Sequence, residues 1–219
     1  MIDLYIFDEG GVLIRNHMIM GDVAAALGLD MATFLDFIAP DIKSLSRGSI
    51  DSAEFWRRFS DRTGIRPSEN YLKTLFKPLP DEDTFSLVDE LSKKARVVCG
   101  TNTIDSHHEI NLQLGLYSPF HAVYASHIIG HIKPEPEFWQ HILEEEGVPA
   151  ERTFFTDDSE ENIKAASSLG IQAVHYIDAD HLRQALLELG APIDRLFGEI
   201  GAPVHKADAP IVAPPSRII

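Results

Sequence analysis

Apolar positions along the chain change their spacing twice. Leu4 to Phe7 is a short unbroken apolar run, the pattern of a buried strand, and Asp8 followed by Glu9-Gly10-Gly11 ends it. From about Asn16 to Pro78 apolar residues recur at three- and four-residue steps: Val23, Leu27, Phe34, Leu35 and Ile38, then Phe55, Trp56 and Phe59. That spacing predicts amphipathic helices. Asp51-Ser52-Ala53-Glu54 offers capping oxygens for a helix start, and Thr63-Gly64 a stop. Beyond Asp81 helix and strand alternate. The predicted order is helix 84–94, strand 96–100, helix 106–114, strand 122–125, helix 135–146, strand 153–156, helix 160–169 and strand 172–176. Pro136 suits a first helical turn, and Gly147 and Gly170 fall at helix ends.

This βαβ grammar predicts an α/β fold: a parallel sheet with helices on both faces. The domain reading is a core from 1–15 and 79–190, an inserted all-helical subdomain at 16–78, and a Pro-rich C-terminal arm at 191–219. In the arm, Leu196, Phe197, Ile200 and Ile211 could pack on the domain or on a second copy, which leaves a homodimer open. The favoured reading of the arm is a tail without catalytic consequence.

Charge narrows the partners. With 19 Lys and Arg against 34 Asp and Glu the net charge is −15, and protonating all 10 histidines would still leave −5. Phosphate backbones are bound by clustered Lys and Arg, so nucleic acid is not expected as a partner, nor an anionic membrane surface. No run of about 18 apolar residues predicts a membrane span. Cys99 is the single cysteine, which excludes an internal disulfide framework and a multi-thiolate zinc site. The expectation is a soluble, cytoplasmic protein.

Reactive groups in open parallel sheets gather at the carboxyl ends of strands. The residues falling there are Asp8, Thr101-Asn102, Lys133-Pro134 and Asp157-Asp158. Each alone has an ordinary explanation, as a helix cap or a solvated charge. Together, several carboxylates held close repel one another unless a cation or bound proton relieves them, and oxygen-only ligands point to a hard cation such as Mg²⁺.

Through Phe7-Asp8-Glu9-Gly10-Gly11-Val12-Leu13, Thr101-Asn102, Lys133-Pro134-Glu135-Pro136 and Phe155-Thr156-Asp157-Asp158-Ser159-Glu160-Glu161-Asn162, the chain resembles the haloacid dehalogenase (HAD) superfamily. Arg47-Gly48-Ser49-Ile50-Asp51-Ser52-Ala53-Glu54-Phe55-Trp56 and the Asp-Asp-Ser form of the last motif look like its sugar-phosphate phosphatase branch. The motifs frame about residues 4 to 176, and the resemblance implies a Rossmannoid core with residues 16–78 as the cap.

It further implies a Mg²⁺-dependent phosphomonoesterase acting on a small-molecule phosphorylated substrate. Asp8 would attack phosphorus and form an aspartyl-phosphate. Mg²⁺ would be held by Asp8, the carbonyl of Gly10 and Asp158, with Asp157 near it. Thr101 and the backbone N–H of Asn102 would hold a phosphoryl oxygen, and Lys133 would pair with the nucleophile and the transferring group. Gly11, Arg47 and His107 are the further candidates for substrate binding. Trp56, Phe55 and Phe59 read as the cap's own core.

One departure stands out. Many phosphatases of this family carry a second Asp two residues after the nucleophile, as general acid and then base, where this chain has Gly10. Glu9, His17 and His107 are the candidates for that role, Glu9 otherwise reading as a carboxylate facing solvent or Lys133. Two alternatives remain: a metal-free 2-haloacid dehalogenase, against which Asp157-Asp158 speaks, and a catalytically impaired phosphate- and metal-binding protein in which Gly10 has removed turnover.

Overall fold

The computed structural model describes residues 1–194. The expected packing residues of the arm, Leu196, Phe197, Ile200 and Ile211, lie outside the described residues.

Five parallel strands form the central sheet: β1 (Leu4–Phe7), β4 (Arg96–Thr101), β5 (Ala122–Ala125), β6 (Thr153–Asp157) and β7 (Gln172–His175), in the order β5-β4-β1-β6-β7. Strand β1 is central because its side chains are apolar on both faces. Leu4 and Ile6 enter one buried cluster with Val98, Phe138, Trp139, Ile142 and Phe155, while Tyr5 and Phe7 enter another with Val97, Cys99, Leu87, Phe154 and Leu182. The period of two thus becomes two cores. Helices α8 (Pro136–Glu146) and α9 (Glu160–Ser168) cover the first face, and α5 (Glu82–Ser92), α6 (Asp105–Gln113) and α10 (Ala179–Glu188) the second.

Local signals set the helix ends. Ser159 caps α9 by accepting from Asn162 N, Pro136 opens α8, and Gly147 closes it at φ 64°. Left-handed backbone there costs glycine no Cβ clash.

The chain leaves the core at β2 (Ile14–Arg15) and returns at β3 (Leu79–Pro80), which pair antiparallel. Between them lie α1 (Met20–Ala26), α2 (Met31–Ser46), α3 (Ser52–Thr63) and α4 (Tyr71–Thr74). Phe34, Phe55, Trp56 and Phe59 are buried among these helices, with Trp56 edge-on to Phe55 at 5.1 Å and to Phe59 at 5.4 Å. They form the cap's interior, and Trp56 Nε1 donates to Asn70 Oδ1 at 2.9 Å.

The structure adds elements to the sequence reading. Strands β2 and β3 hold two residues each, too short for a period, and exist through pairing across the insertion. Helix α7 (Ser126–Ile129) is a single turn closed by Gly130. Helix α10 did carry a signal, Leu182 and Leu186 on one face behind the capping Asp178. No single helix among the described residues is long and apolar enough to cross a membrane.

Candidate active site

The sheet order makes β1 the switch point: the chain crosses from β1 to β4 on one side and reaches β6 on the other. Loops leaving β1, β4 and β6 therefore open a crevice beyond their carboxyl ends. Phe7 stands level with Cys99 and Thr156, so Asp8, Thr101 and Asp157 end neighbouring strands at one rim. Asp8 N donates to Thr156 O at 3.0 Å, continuing the ladder to the first residue of the site.

Lys133 is the hub. Its Nζ donates to Asp8 Oδ1 at 2.6 Å, Asp157 Oδ2 at 2.6 Å and the Gly100 carbonyl at 3.0 Å, which uses all three ammonium hydrogens. Burial disfavours its charge, but Asp8 and Asp157 outweigh burial and hold its pKa above the ordinary value. For Asp8, burial raises the pKa, Lys133 opposes the rise and Asp157 adds to it. The Lys133 loop is anchored by Asn102, whose Nδ2 donates to Lys133 O at 2.8 Å and whose Oδ1 accepts from Lys133 N at 2.8 Å.

The two acids of the last motif differ sharply. Asp157 is fully buried and accepts from Lys133, from Ser159 N at 2.8 Å and from Asn162 Nδ2 at 3.0 Å. It orients Lys133 and the start of α9. Asp158 is exposed, and its carboxylate leans over the β1 loop at Gly11. A Cβ on Gly11, where φ is +78°, would fall 2.1 Å from Asp158 Oδ2, so this close approach requires glycine. The Gly11 amide is spent on the Ile14 carbonyl at 2.9 Å, so Gly11 makes room for Asp158 rather than offering its N–H to substrate.

One carboxylate oxygen each from Asp8, Asp157 and Asp158 lie within 4.8 Å of one another. Lys133 neutralises one of these charges, which leaves an anionic oxygen cluster that a hard divalent cation fits. Asp8 and Asp158 have the accessible oxygens; those of Asp157 are committed to hydrogen bonds.

Two candidates for substrate binding are engaged elsewhere. Arg47, at the end of α2, forks onto both carboxylate oxygens of Glu135, next to the Lys133-Pro134 turn, and so clasps cap to core instead of reaching a substrate group. His107 stacks on Phe76 with ring centroids 3.8 Å apart, and its Nε2 bonds the Leu72 carbonyl at 2.9 Å. Burial pushes its pKa down to about 4, so it is a neutral strut between α6 and the cap. Further fastenings are Ser52 to Asp105 and Ser126 Oγ to the Ser46 carbonyl at 2.7 Å.

Of the two surroundings expected for Glu9, solvent is ruled out, while the charge of Lys133 does act on it. Its carboxylate is buried, with Oε1 accepting from Asn111 Nδ2 and Oε2 from the Tyr117 hydroxyl at 3.1 Å. Asn111, Tyr117 and Asn162 are site-supporting residues that the sequence reading assigned no role. Asn162 alone had a local signal, one turn into the helix behind Asp157.

Burial pushes the Glu9 carboxyl from 4.5 up to about 7, against hydrogen bonds from Thr101, Tyr117 and Asn111 and the charge of Lys133. A raised folded-state pKa means that the protonated group's contribution to stability is complete below the unfolded value and disappears as pH rises through 7. Glu9→Gln keeps the shape and removes the titration. In metal-free protein it is expected to gain on wild type, by on the order of 3 kcal/mol, between about pH 5 and pH 8 in denaturant unfolding. A pH-independent offset would show that Glu9 does not titrate there.

Fold and rim together define a core of the parallel α/β class with a cluster of carboxylates around one buried lysine at its switch point. The chain belongs to the haloacid dehalogenase-like hydrolase family, whose model matches residues 2–170. It is 28% identical over 179 residues to sesquiterpene phosphatase astK of Aspergillus oryzae, covering 80% of this chain and 89% of the relative. Flavin mononucleotide hydrolase 1 of Arabidopsis thaliana is 26% identical over 203 residues, covering 86% and 78% respectively. Among solved structures, HAD family enzyme bt-2542 of Bacteroides thetaiotaomicron, in complex with magnesium and inorganic phosphate, gives a TM-score of 0.69 at 27% identity, covering 83% of this chain and 99% of that one.

Proposed function

We propose that this enzyme is a Mg²⁺-dependent phosphomonoesterase of a small phosphorylated metabolite that works through a phosphorylated Asp8. The observation that carries this reading is the grouping of Asp8, Asp157 and Asp158 within 4.8 Å around one buried lysine. The names of its relatives, a sesquiterpene phosphatase and a flavin mononucleotide hydrolase, support it.

Asp8 presents one oxygen to Lys133, which leaves the other to attack phosphorus. Attack splits one displacement into two easier ones. Lys133, held by Asp157 and Asn102, offers its positive charge to the phosphoryl oxygens beside the nucleophile, and Thr101, ending β4 at the same rim, would have to turn its hydroxyl away from Glu9 to donate to one of them. Mg²⁺ would be held by Asp8, Asp158 and the Gly10 carbonyl, where it would neutralise charge between phosphate and carboxylates. Three carboxylates and one lysine otherwise repel an anionic substrate.

The test is inorganic phosphate release from a panel of sugar, nucleotide, prenyl and acyl phosphates, with Mg²⁺ and with chelator. Chelator-sensitive release is expected. Halide release from 2-haloacids that persists in chelator would instead establish dehalogenase chemistry.

A further inference from the structure

The oxygens assigned to Mg²⁺ come from two loops far apart in sequence. Asp8 and Gly10 follow β1, and Asp158 follows β6. A cation shared between them requires the loops to keep one spacing, and the Gly10-Gly11 pair is conformationally permissive, so it supplies little stiffness of its own.

Contacts from outside hold the pair. The Gly11 N–H is turned to the Ile14 carbonyl at 2.9 Å, and across a trans peptide the Gly10 carbonyl points the opposite way. The His17 ring packs against Gly10, where an ideal Cβ would fall 3.1 Å from Cδ2, and Asp158 packs against Gly11. The Gly11 carbonyl accepts from Arg15 Nη1. The other terminal nitrogen of Arg15, Nη2, donates to Asp81 Oδ2 at 2.7 Å and to the Tyr176 hydroxyl at 3.1 Å.

Tyr176 follows β7, and the end of β7 carries the second loop. Tyr176 N donates to the Asp157 carbonyl at 2.9 Å, and His175 Nε2 meets the Asp158 carbonyl at 2.9 Å. The Tyr176 hydroxyl is itself fixed, 2.6 Å from Thr84 Oγ1 on α5. One planar guanidinium therefore spans from the β1 loop to the strand end on which the β6 loop rests. It does so from β2, where the chain leaves for the cap, while Asp81 caps α5 just after the chain returns at β3.

We infer that Arg15 is a positioning residue of the metal site: it fixes Gly11 relative to the end of β7 and so holds the Gly10 carbonyl and Asp158 where one cation can share them. The metal site itself rests on the phosphatase reading above. Arg15 acts through the loop, because its own positive charge taken alone disfavours a neighbouring cation.

The experiment is calorimetric titration of the full chain with MgCl₂, without substrate, in wild type, Arg15→Gln, Arg15→Lys and Tyr176→Phe. Groups that orient the ligands of a metal are typically worth about 10- to 100-fold in affinity, so Arg15→Gln is expected to bind Mg²⁺ at least about tenfold more weakly. Arg15→Lys keeps the charge without the fork and is expected to weaken binding as well. Tyr176→Phe removes only the hydroxyl between Arg15 and β7, for a smaller loss, below about tenfold. Loss of a positive charge by itself has the opposite sign and would tighten binding in Arg15→Gln. Unchanged or tighter binding in Arg15→Gln, even with a lower melting temperature of the metal-free protein, overturns the assignment. Where Arg15→Gln does not fold, an unaltered affinity in Tyr176→Phe overturns it instead. The affinity ratio needs no turnover, so wild type that binds Mg²⁺ but releases phosphate from no substrate overturns the phosphatase reading alone. Wild type that binds no Mg²⁺ overturns both.

Discussion

Asp8→Asn is expected to lower phosphate release at least about 10⁴-fold while leaving the protein folded. A neutral amide oxygen is a far weaker nucleophile than a carboxylate, and neither of the buried neighbouring acids can substitute for it. Asp157 is committed to Lys133, Ser159 and Asn162, and Glu9 points into the core. The amide oxygen still accepts from Lys133, so the main contact of Asp8 survives. Burial already acts against the Asp8 charge, so the variant is expected to melt no lower than wild type in the absence of metal. Thermal unfolding and phosphate release on the same preparation check both halves. A folded variant retaining a few per cent of activity would remove Asp8 from the nucleophile's role.

Lys133→Met is expected to cost both activity and stability. Its ammonium is nearly inaccessible, and among the described residues it is the one cation that touches both Asp8 and Asp157. Methionine fills similar volume but leaves two buried carboxylates facing each other. Removing one partner of a buried ion pair typically costs about 3–5 kcal/mol, because the remaining charge is stranded. The sign with pH follows. Protonating either acid relieves the repulsion, so the deficit is expected to be largest at neutral pH and to shrink as pH falls. Mg²⁺ is expected to raise the melting temperature of the variant more than that of wild type, since it supplies the missing positive charge. A deficit independent of both pH and Mg²⁺ would mean that Lys133 contributes packing only.

The contrast between Arg47 and His17 shows where a linear reading stops. Arg47 lies in a turn between two cap helices, and its neighbours in sequence do not reveal that Glu135 stands opposite. The pairing depends on how α2 packs above the start of α8. His17 carries no local signature either. Its ring meets Gly10 because β2 pairs with β3 and directs the intervening segment back over the β1 loop. Glu9 follows the same logic: whether a carboxylate after a strand faces water or the core depends on Asn111 and Tyr117, about a hundred residues away.

What the chain determined by itself is the part governed by short-range periodicity and backbone chemistry. The apolar run of Leu4 to Phe7 makes a strand buried on both faces, three- and four-residue spacing makes the cap helices, and Pro136, Gly147 and Ser159 set helix ends. The βαβ order then places Asp8, Thr101, Lys133 and Asp157-Asp158 at strand ends, because a parallel sheet orients all its carboxyl termini alike. Tertiary structure alone decided which of these groups remain available for chemistry. Lys133 and Asp157 became a closed ion pair, Asp158 stayed open above Gly11, Arg47 and His107 became fastenings of the cap, and His17 came to stand over Gly10. Each outcome rests on contacts between residues far apart in sequence, where the side chain opposite is set by packing and no local pattern encodes it.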